Sequence, residues 1–232
     1  NYDNNSHLEN IDIIKKIKNE DTQILISTNN KIDGSDIKDN VSFDGLDFEK
    51  LSSNYLIYIQ SPTKLLSRVY IDLLASSAIL NLTRVKTANL NIEAKYSEII
   101  IRKDDLNIIE CSPVFIKALL SDLTFSRINN INSSKYIIET SFGDSKLNFN
   151  GELNKDIVID IKINAGNAQI KFPNNANIDL IINNKYFSKI NIDGFRNTEK
   201  NVYKSNTTNT NWNTINGKID IRYGAVDIEI SK

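Results

Sequence analysis

The sequence predicts an all-β fold, a β-helix-like solenoid of short stacked strands, on three observations. Ile and Asn, 38 and 34 residues, make up nearly a third of the 232. Ile is stiff at χ1 and suits pleated, half-buried strands, while Asn tolerates left-handed backbone where a chain changes direction. Short apolar–polar alternations recur at intervals of about 20–24 residues, the range of stacked repeats. Each alternation is preceded by a small or polar turn residue, and no single repeat can bury its apolar edge alone. The competing architecture is a β-sandwich, which shows the same alternation without a meaningful period.

Along the chain, residues 1–60 read as an N-terminal polar tether and capping segment with short strands, and 61–232 as the repeat domain. His7 falls in the polar start. Ile11, Ile14 and Ile17 are spaced as one or two helical turns. Strands are expected at 23–27 and 55–59, separated by an acidic stretch from Asp33 to Glu49 with an Asp44-Gly45 hairpin signal. That stretch reads as a solvated loop, because it lacks the ligand order of a calcium loop.

Regular strands then follow at 76–82, 96–102, 120–125, 143–149, 166–172, 186–192 and 224–230. Second strands fall between them at 90–92, 136–139, 157–163, 178–182 and 219–221. Ile79, Ile99, Leu123, Leu147, Ile170 and Ile190 are expected to form one inward column, each worth about 2 kcal/mol on burial. About seven rungs at ~4.8 Å would make a rod of roughly 35 Å. Residues 196–214 break the rhythm as a polar, Asn/Thr-rich loop carrying Tyr203 and Trp212. Those two aromatics are the candidate binding surface, with anchoring of the loop as the alternative role for Trp212.

Composition narrows function. Lys+Arg 28 against Asp+Glu 29 argues against a nucleic-acid partner, which would demand excess positive charge. One His and one Cys leave no zinc set and no His-based triad, so no catalytic residue, cofactor or metal ligand is assigned. A lone Cys111 permits no internal disulfide and reads as a small buried hydrophobe. No run of 18 apolar residues suggests a spanning helix. The polar start without Met fits the tether of a secreted protein or a lipoprotein whose signal has been removed, or an arbitrary chain boundary.

From about residue 72 onward the repeats resemble the bacterial cell-envelope adhesin-like, toast-rack and LiaF-like C-terminal domain families. The residues that carry the resemblance are Ala165-Gly166-Asn167-Ala168 between the strands of 163–173 with Pro173, then Ile192-Asp193-Gly194-Phe195, then Tyr223-Gly224-Ala225-Val226 opening the last strand. Glycines usual in those repeats are replaced here, as by Tyr96 and Leu120. The resemblance implies a β-helix-like scaffold outside the cytoplasmic membrane, tethered by lipid or a helix, and no catalytic residues.

The expected function is therefore a non-enzymatic, extracytoplasmic envelope protein, a scaffold for adhesion, sensing or regulation. Its partner would be an envelope protein or a glycan, with the membrane touched only through an anchor. Because a solenoid must cover its terminal rungs, oligomer formation through one end is expected, the C-terminal Ser231-Lys232 leaving little to cover it. The alternative is a polysaccharide-acting lyase or glycosidase. It would use Asp104-Asp105 with Arg102, or Asp144 near Asp122 where adjacent rungs align.

Overall fold

The computed structural model describes residues 11–18, 21–28, 66–75 and 77–231. It opens with β1 (Ile11–Lys18) and β2 (Asp21–Thr28). It continues through β3 (Leu66–Leu74), β4 (Ser77–Asn81), β5 (Lys86–Lys95), β6 (Glu98–Arg102), β7 (Val114–Leu119), β8 (Asp122–Ser126), β9 (Lys135–Ser141) and β10 (Gly143–Asn148). There follow β11 (Ile157–Ile163), β12 (Gly166–Phe172), β13 (Asn177–Asn184), β14 (Ser188–Asp193), β15 (Phe195–Glu199), β16 (Val202–Ser205), β17 (Thr214–Ile221) and β18 (Gly224–Ile230). Among the described residues the only helical element is a 3-10 turn at Ile128–Ile131.

Two facing sheets hold these strands. The first has eleven, in the order β1-β2-β3-β5-β7-β9-β11-β17-β13-β16-β15, and the second has seven, in the order β14-β18-β12-β10-β8-β6-β4. Each coil runs along one strand of the first sheet, turns a tight corner into the second, and returns through a longer loop. Successive rungs pair in parallel, as at Leu147↔Ile170 and Ile161↔Ile138. Parallel stacking of seven such rungs is the expected solenoid. The strands read first from the sequence, 76–82 through 224–230, all fall on the second sheet, and the second set on the first sheet. Of the first-sheet strands that form rungs, β3 and β7 escaped that reading.

The core lies between the sheets. The central inward column of the first sheet is Ile71, Ile92, Ile116, Ile138, Ile161, Ile219 and Ile182, all buried and flanked on either side by further buried rows. The second sheet supplies two columns. One is Ala78, Ile99, Leu123, Ser145, Ala168, Val226 and Ile190; the other is Leu80, Ile101, Phe125, Leu147, Ile170, Ile228 and Ile192. The expected single column is thus split, with Ile99, Leu123 and Ile190 in one and Leu147 and Ile170 in the other. Ile79 belongs to neither. It is 67% exposed, because β4 stacks Ala78 rather than Ile79 on Ile99, and a one-residue slip sends every side chain to the opposite face.

Three further expectations change. Ile11, Ile14 and Ile17 lie in a strand, not helical turns: β1 pairs antiparallel with β2, matching Ile11 to Thr28 and Lys18 to Asp21. Two isolated helical turns would be marginal, whereas the ladder satisfies the same backbone groups. Residues 196–214 are not all loop, since β15 and β16 form an antiparallel hairpin added to β13. The C-terminal strand is not at an end at all: β17 lies between β11 and β13, and β18 between β12 and β14. The final coil is inserted into the stack, so the last rung is β13–β14. The strand expected at 55–59, the acidic stretch with Asp44-Gly45 and His7 lie outside the described residues.

Candidate binding surface

The two turns of each coil are built differently. The longer returns from the second sheet to the first are packed with polar side chains that serve backbone groups. Asn107 Nδ2 donates to the carbonyls of Thr87 (2.6 Å) and Ile131 (3.1 Å), while its Oδ1 accepts the Thr87 N–H (3.1 Å). Asn130 Nδ2 donates to the Lys103 carbonyl (2.8 Å), and its Oδ1 accepts the Glu152 N–H (2.9 Å). Lys103 is fully buried, its ammonium donating to the carbonyls of Leu82 (3.1 Å) and Val85 (3.2 Å) and to Asp105 Oδ1 (2.9 Å). Partial burial of Asp105 pushes its carboxyl up, but Lys103 and the Arg84 N–H outweigh this and hold it below the usual range. Beneath these loops Tyr136, Phe149, Phe172 and Phe195 form a row of rings, with Phe149 stacked on Phe172 at 5.3 Å and Tyr136 and Phe195 edge-on to them at 6.1 Å. Cys111 is buried here, and burial pushes its thiol up to about 12. It is the small buried hydrophobe expected.

The corners from the first sheet to the second carry the opposite design. Each turns on one residue in the left-handed region: Ala75, Tyr96, Leu120 and Phe142 have φ between 50° and 56°, and Tyr186 has 58°. Gly166 and Gly224 take the equivalent turn at φ 106° and 113°. Glycine is obligatory at Gly224, where a Cβ would sit 1.8 Å from the Gly166 carbonyl oxygen. Bulky side chains in this region cost on the order of 1–3 kcal/mol and persist only where surrounding structure holds them. Here the ladder does so: the corner N–H of Tyr96 donates to the Leu119 carbonyl (3.0 Å), that of Leu120 to Ser141 (2.7 Å), and that of Phe142 to Ala165 (2.8 Å). Ser97 and Ser121 follow the turn residue and fold their hydroxyls back onto the carbonyls of Lys95 and Leu119.

The result is a ridge. Stacked corner on corner stand Tyr96, Leu120, Phe142, Ala165, Tyr223 and Tyr186, with Phe187 beside the last. Phe142 is 63% exposed, Tyr186 70% and Phe187 91%. Tyr186 and Tyr223 stack at 5.1 Å with their planes 9° apart. Aligned large apolar side chains in solvent mark an interaction surface, unlike a single scattered one.

Charge divides the ridge in two. Two residues beyond Tyr96, Leu120 and Phe142 stand Glu98, Asp122 and Asp144, stacked on consecutive strands of the second sheet. Asp122 Oδ1 accepts the Asp144 N–H (2.8 Å), and Asp144 Oδ1 accepts Asn167 Nδ2 (3.0 Å). No salt bridge among the described residues reaches these three carboxylates. Lys146 lies one row further along β10. The other half is basic, with Arg222 and Lys185 immediately before Tyr223 and Tyr186, and Lys189 second in β14. Beside them a polar cleft of about 200 Å³ is lined by Glu139, Lys162, Asn164, Lys185, Asp220 and Arg222.

The residues singled out from the sequence lie elsewhere. Tyr203 is half-buried against the core, and its backbone pairs with Leu180 on β13. Trp212 is half-buried in the turn before β17. Asn177, opening β13, holds that turn by donating to the carbonyls of Asn209 (2.8 Å) and Trp212 (3.0 Å) and accepting the Asn209 N–H (2.9 Å). Both aromatics therefore sit at the end of the first sheet, away from the ridge. Asp104 faces Arg127 (3.9 Å) and Asp105 binds Lys103, both in the loop after β6. Sequence reasoning missed the ridge although its signal is present: an apolar residue, Ser or Gly, then an acid, repeated as Tyr96-Ser97-Glu98, Leu120-Ser121-Asp122 and Phe142-Gly143-Asp144.

Comparison with known proteins returns little. No family model matches the chain, and no curated protein matches it. A solved structure described as a "putative cell adhesion protein" from Clostridium sporogenes is similar, with a TM-score of 0.41 and 13% identity, over 95% of this chain and 76% of that one. Among the described residues no helix is long and apolar enough to cross a membrane.

Proposed function

We propose that this chain is a non-enzymatic, extracytoplasmic scaffold of the cell envelope, related to the adhesin-like repeat proteins it resembles, and that it works in adhesion. The observation that carries the proposal is the corner ridge of Tyr96, Leu120, Phe142, Tyr223 and Tyr186. At Tyr96, Leu120, Phe142 and Tyr186, where glycine would serve the turn at lower strain, the fold instead holds large apolar side chains out to solvent, and Tyr223 joins them beside the Gly224 turn. Such side chains contribute nothing to the core, so a contact surface is the role their position supports.

The test is attachment. Beads coated with the purified chain are expected to attach to bacterial cells or to one another, and Leu120→Asp with Phe142→Asp is expected to abolish attachment while leaving the circular dichroism spectrum unchanged. Attachment that is unaltered by the double variant would sink the reading. Location is checked by protease treatment of intact cells, which should remove the chain if it lies outside the membrane.

The glycan-cleaving alternative has one observation in its favour, the stacking of Asp144 on Asp122. Release of reducing ends from pectin or related glycans, lost in Asp122→Asn, would establish it instead.

A further inference from the structure

We infer that the partner of the ridge is a second copy of this chain, packed ridge against ridge and antiparallel about a two-fold axis at the level of Ala165. This rests on the reading of the ridge as an adhesive surface and names what that surface meets.

The order of residues along the ridge is self-complementary. After the small Ala75 corner, the corners read rung by rung as Tyr96, Leu120, Phe142, Ala165, Tyr223 and Tyr186, following the register of the two sheets. Carboxylates follow the first three, with Lys95 also standing before Tyr96, and basic groups flank the last two, so Leu120 and Phe142 carry the net negative corners and Tyr223 and Tyr186 the net positive ones. A two-fold axis through the Ala165 level exchanges the halves. Phe142 of one copy then comes level with Tyr223 of the other, and Leu120 with Tyr186 and Phe187. Asp144 comes level with Arg222, and Asp122 with Lys185 and Lys189. Ala165, buried and small, leaves room at the crossing.

Like charges are stacked within each half, with Asp220 near enough to Lys185 for their charges to interact and Lys95 standing before Tyr96. Carboxylates on adjacent strands repel at a spacing of about 4.8 Å, and Arg222 and Lys185 follow one another on adjacent rungs. Antiparallel packing brings each like-charged row against the opposite charge, twice per dimer, as isologous two-fold contacts require. No other arrangement of two ridges does this: parallel packing sets each corner against its own equivalent, Lys185 facing the Lys185–Lys189 corner of the other copy. Long Arg and Lys side chains supply the reach across the apolar crest.

A charge-swap experiment with the whole chain tests this. Sedimentation of the unaltered protein should show a monomer–dimer equilibrium that weakens as salt is raised. The pair Asp122→Lys with Asp144→Lys should weaken self-association about 100-fold, and Lys185→Glu with Arg222→Glu should do the same. An equimolar mixture of the two variants should recover association to within a few-fold, because each now meets a complementary partner at both contacts. All these side chains are at the surface, and circular dichroism checks that each variant is folded. A chain that stays monomeric at millimolar concentration, or a mixture that does not recover, overturns the inference. The bead assay separates the two levels. Beads that attach to cells while the chain is monomeric in solution remove the second copy as partner and leave adhesion standing. Beads whose attachment ignores Leu120→Asp and Phe142→Asp remove both.

Discussion

The two turns of each coil solve one geometric problem with opposite chemistry. On the return side, between the second sheet and the first, Asn107, Asn130 and Lys103 point inward and satisfy carbonyls and N–H groups that the ladder leaves open. On the corner side the ladder itself satisfies the backbone, as the Tyr96, Leu120 and Phe142 N–H groups show. The side chains there are free to point outward. Buried polar groups must be bonded or they destabilise, so the return side is constrained by stability. Ser97, Ser121 and Asp122 share that duty at the corners, but the turn residues Tyr96, Leu120 and Phe142 have none, and what occupies those positions reflects what they meet. The difference teaches where to look for function in a repeat fold: at positions the fold constrains in backbone but not in side chain.

The largest effect is expected where the corners touch backbone to backbone. Gly224→Ala puts a Cβ against the Gly166 carbonyl at φ 113° and should destabilise by about 3 kcal/mol or more, read as a fall in melting temperature. On the return side, Lys103→Met removes the donor to two buried carbonyls and should cost about 2–3 kcal/mol in urea unfolding. Asn107→Ala should cost about 2 kcal/mol by the same measurement, since it abandons three bonds at once. A loss under ~0.5 kcal/mol at either position would show that the return side is no more constrained than an ordinary surface.

Corner substitutions should behave in the opposite sense. Phe142→Gly relieves a left-handed phenylalanine and should be neutral or stabilising, by up to about 1 kcal/mol, while weakening attachment of coated beads. Stability and adhesion changing in opposite directions is the signature expected of a contact surface. A stability loss near that of Asn107→Ala would erase the contrast.

The smallest effect concerns pH. The folded Asp105 carboxyl lies below its unfolded value, so its contribution is present above the unfolded value and is lost as pH falls through the folded one. Acid titration of the unfolding free energy should show a shallow loss below the ordinary carboxylate range, absent in Asp105→Asn. Cys111 gives an independent probe of the same region. Buried, with its thiol pushed up to about 12, it should resist thiol reagents at neutral pH until the rungs open, so its labelling rate should follow unfolding.

Much of the scaffold was legible from residues alone. Alternation marked 143–149, 157–163, 166–172 and 224–230 closely enough that β10, β11, β12 and β18 match them within a residue at each end, because period-two patterning is set by the pleat itself. β7 was missed, although Val114, Ile116 and Ala118 alternate inward, since Phe115 interrupts the polar positions between them. The ridge was legible only as an oddity, Tyr96 and Leu120 where glycine is usual. Its meaning required stacking, which brings into one line residues 22–24 positions apart from Tyr96 to Ala165 and much further apart at Tyr223 and Tyr186.

The sequence by itself determined the strands, the coil and the alternation of buried and exposed faces, because these follow from local propensity and a period of two. Tertiary structure alone decided three things. It settled the phase of β4, where Ala78-Ile79-Leu80 are all apolar and only stacking on β6 selects which of them turn inward. It settled the order of rungs, inserting β17 and β18 into the stack, because parallel strands with the same pattern present interchangeable edges and no local signal says which edge accepts which. And it aligned the corners into a ridge with an acidic and a basic half, since the charge on each rung acquires a neighbour only when the coils are laid one upon another.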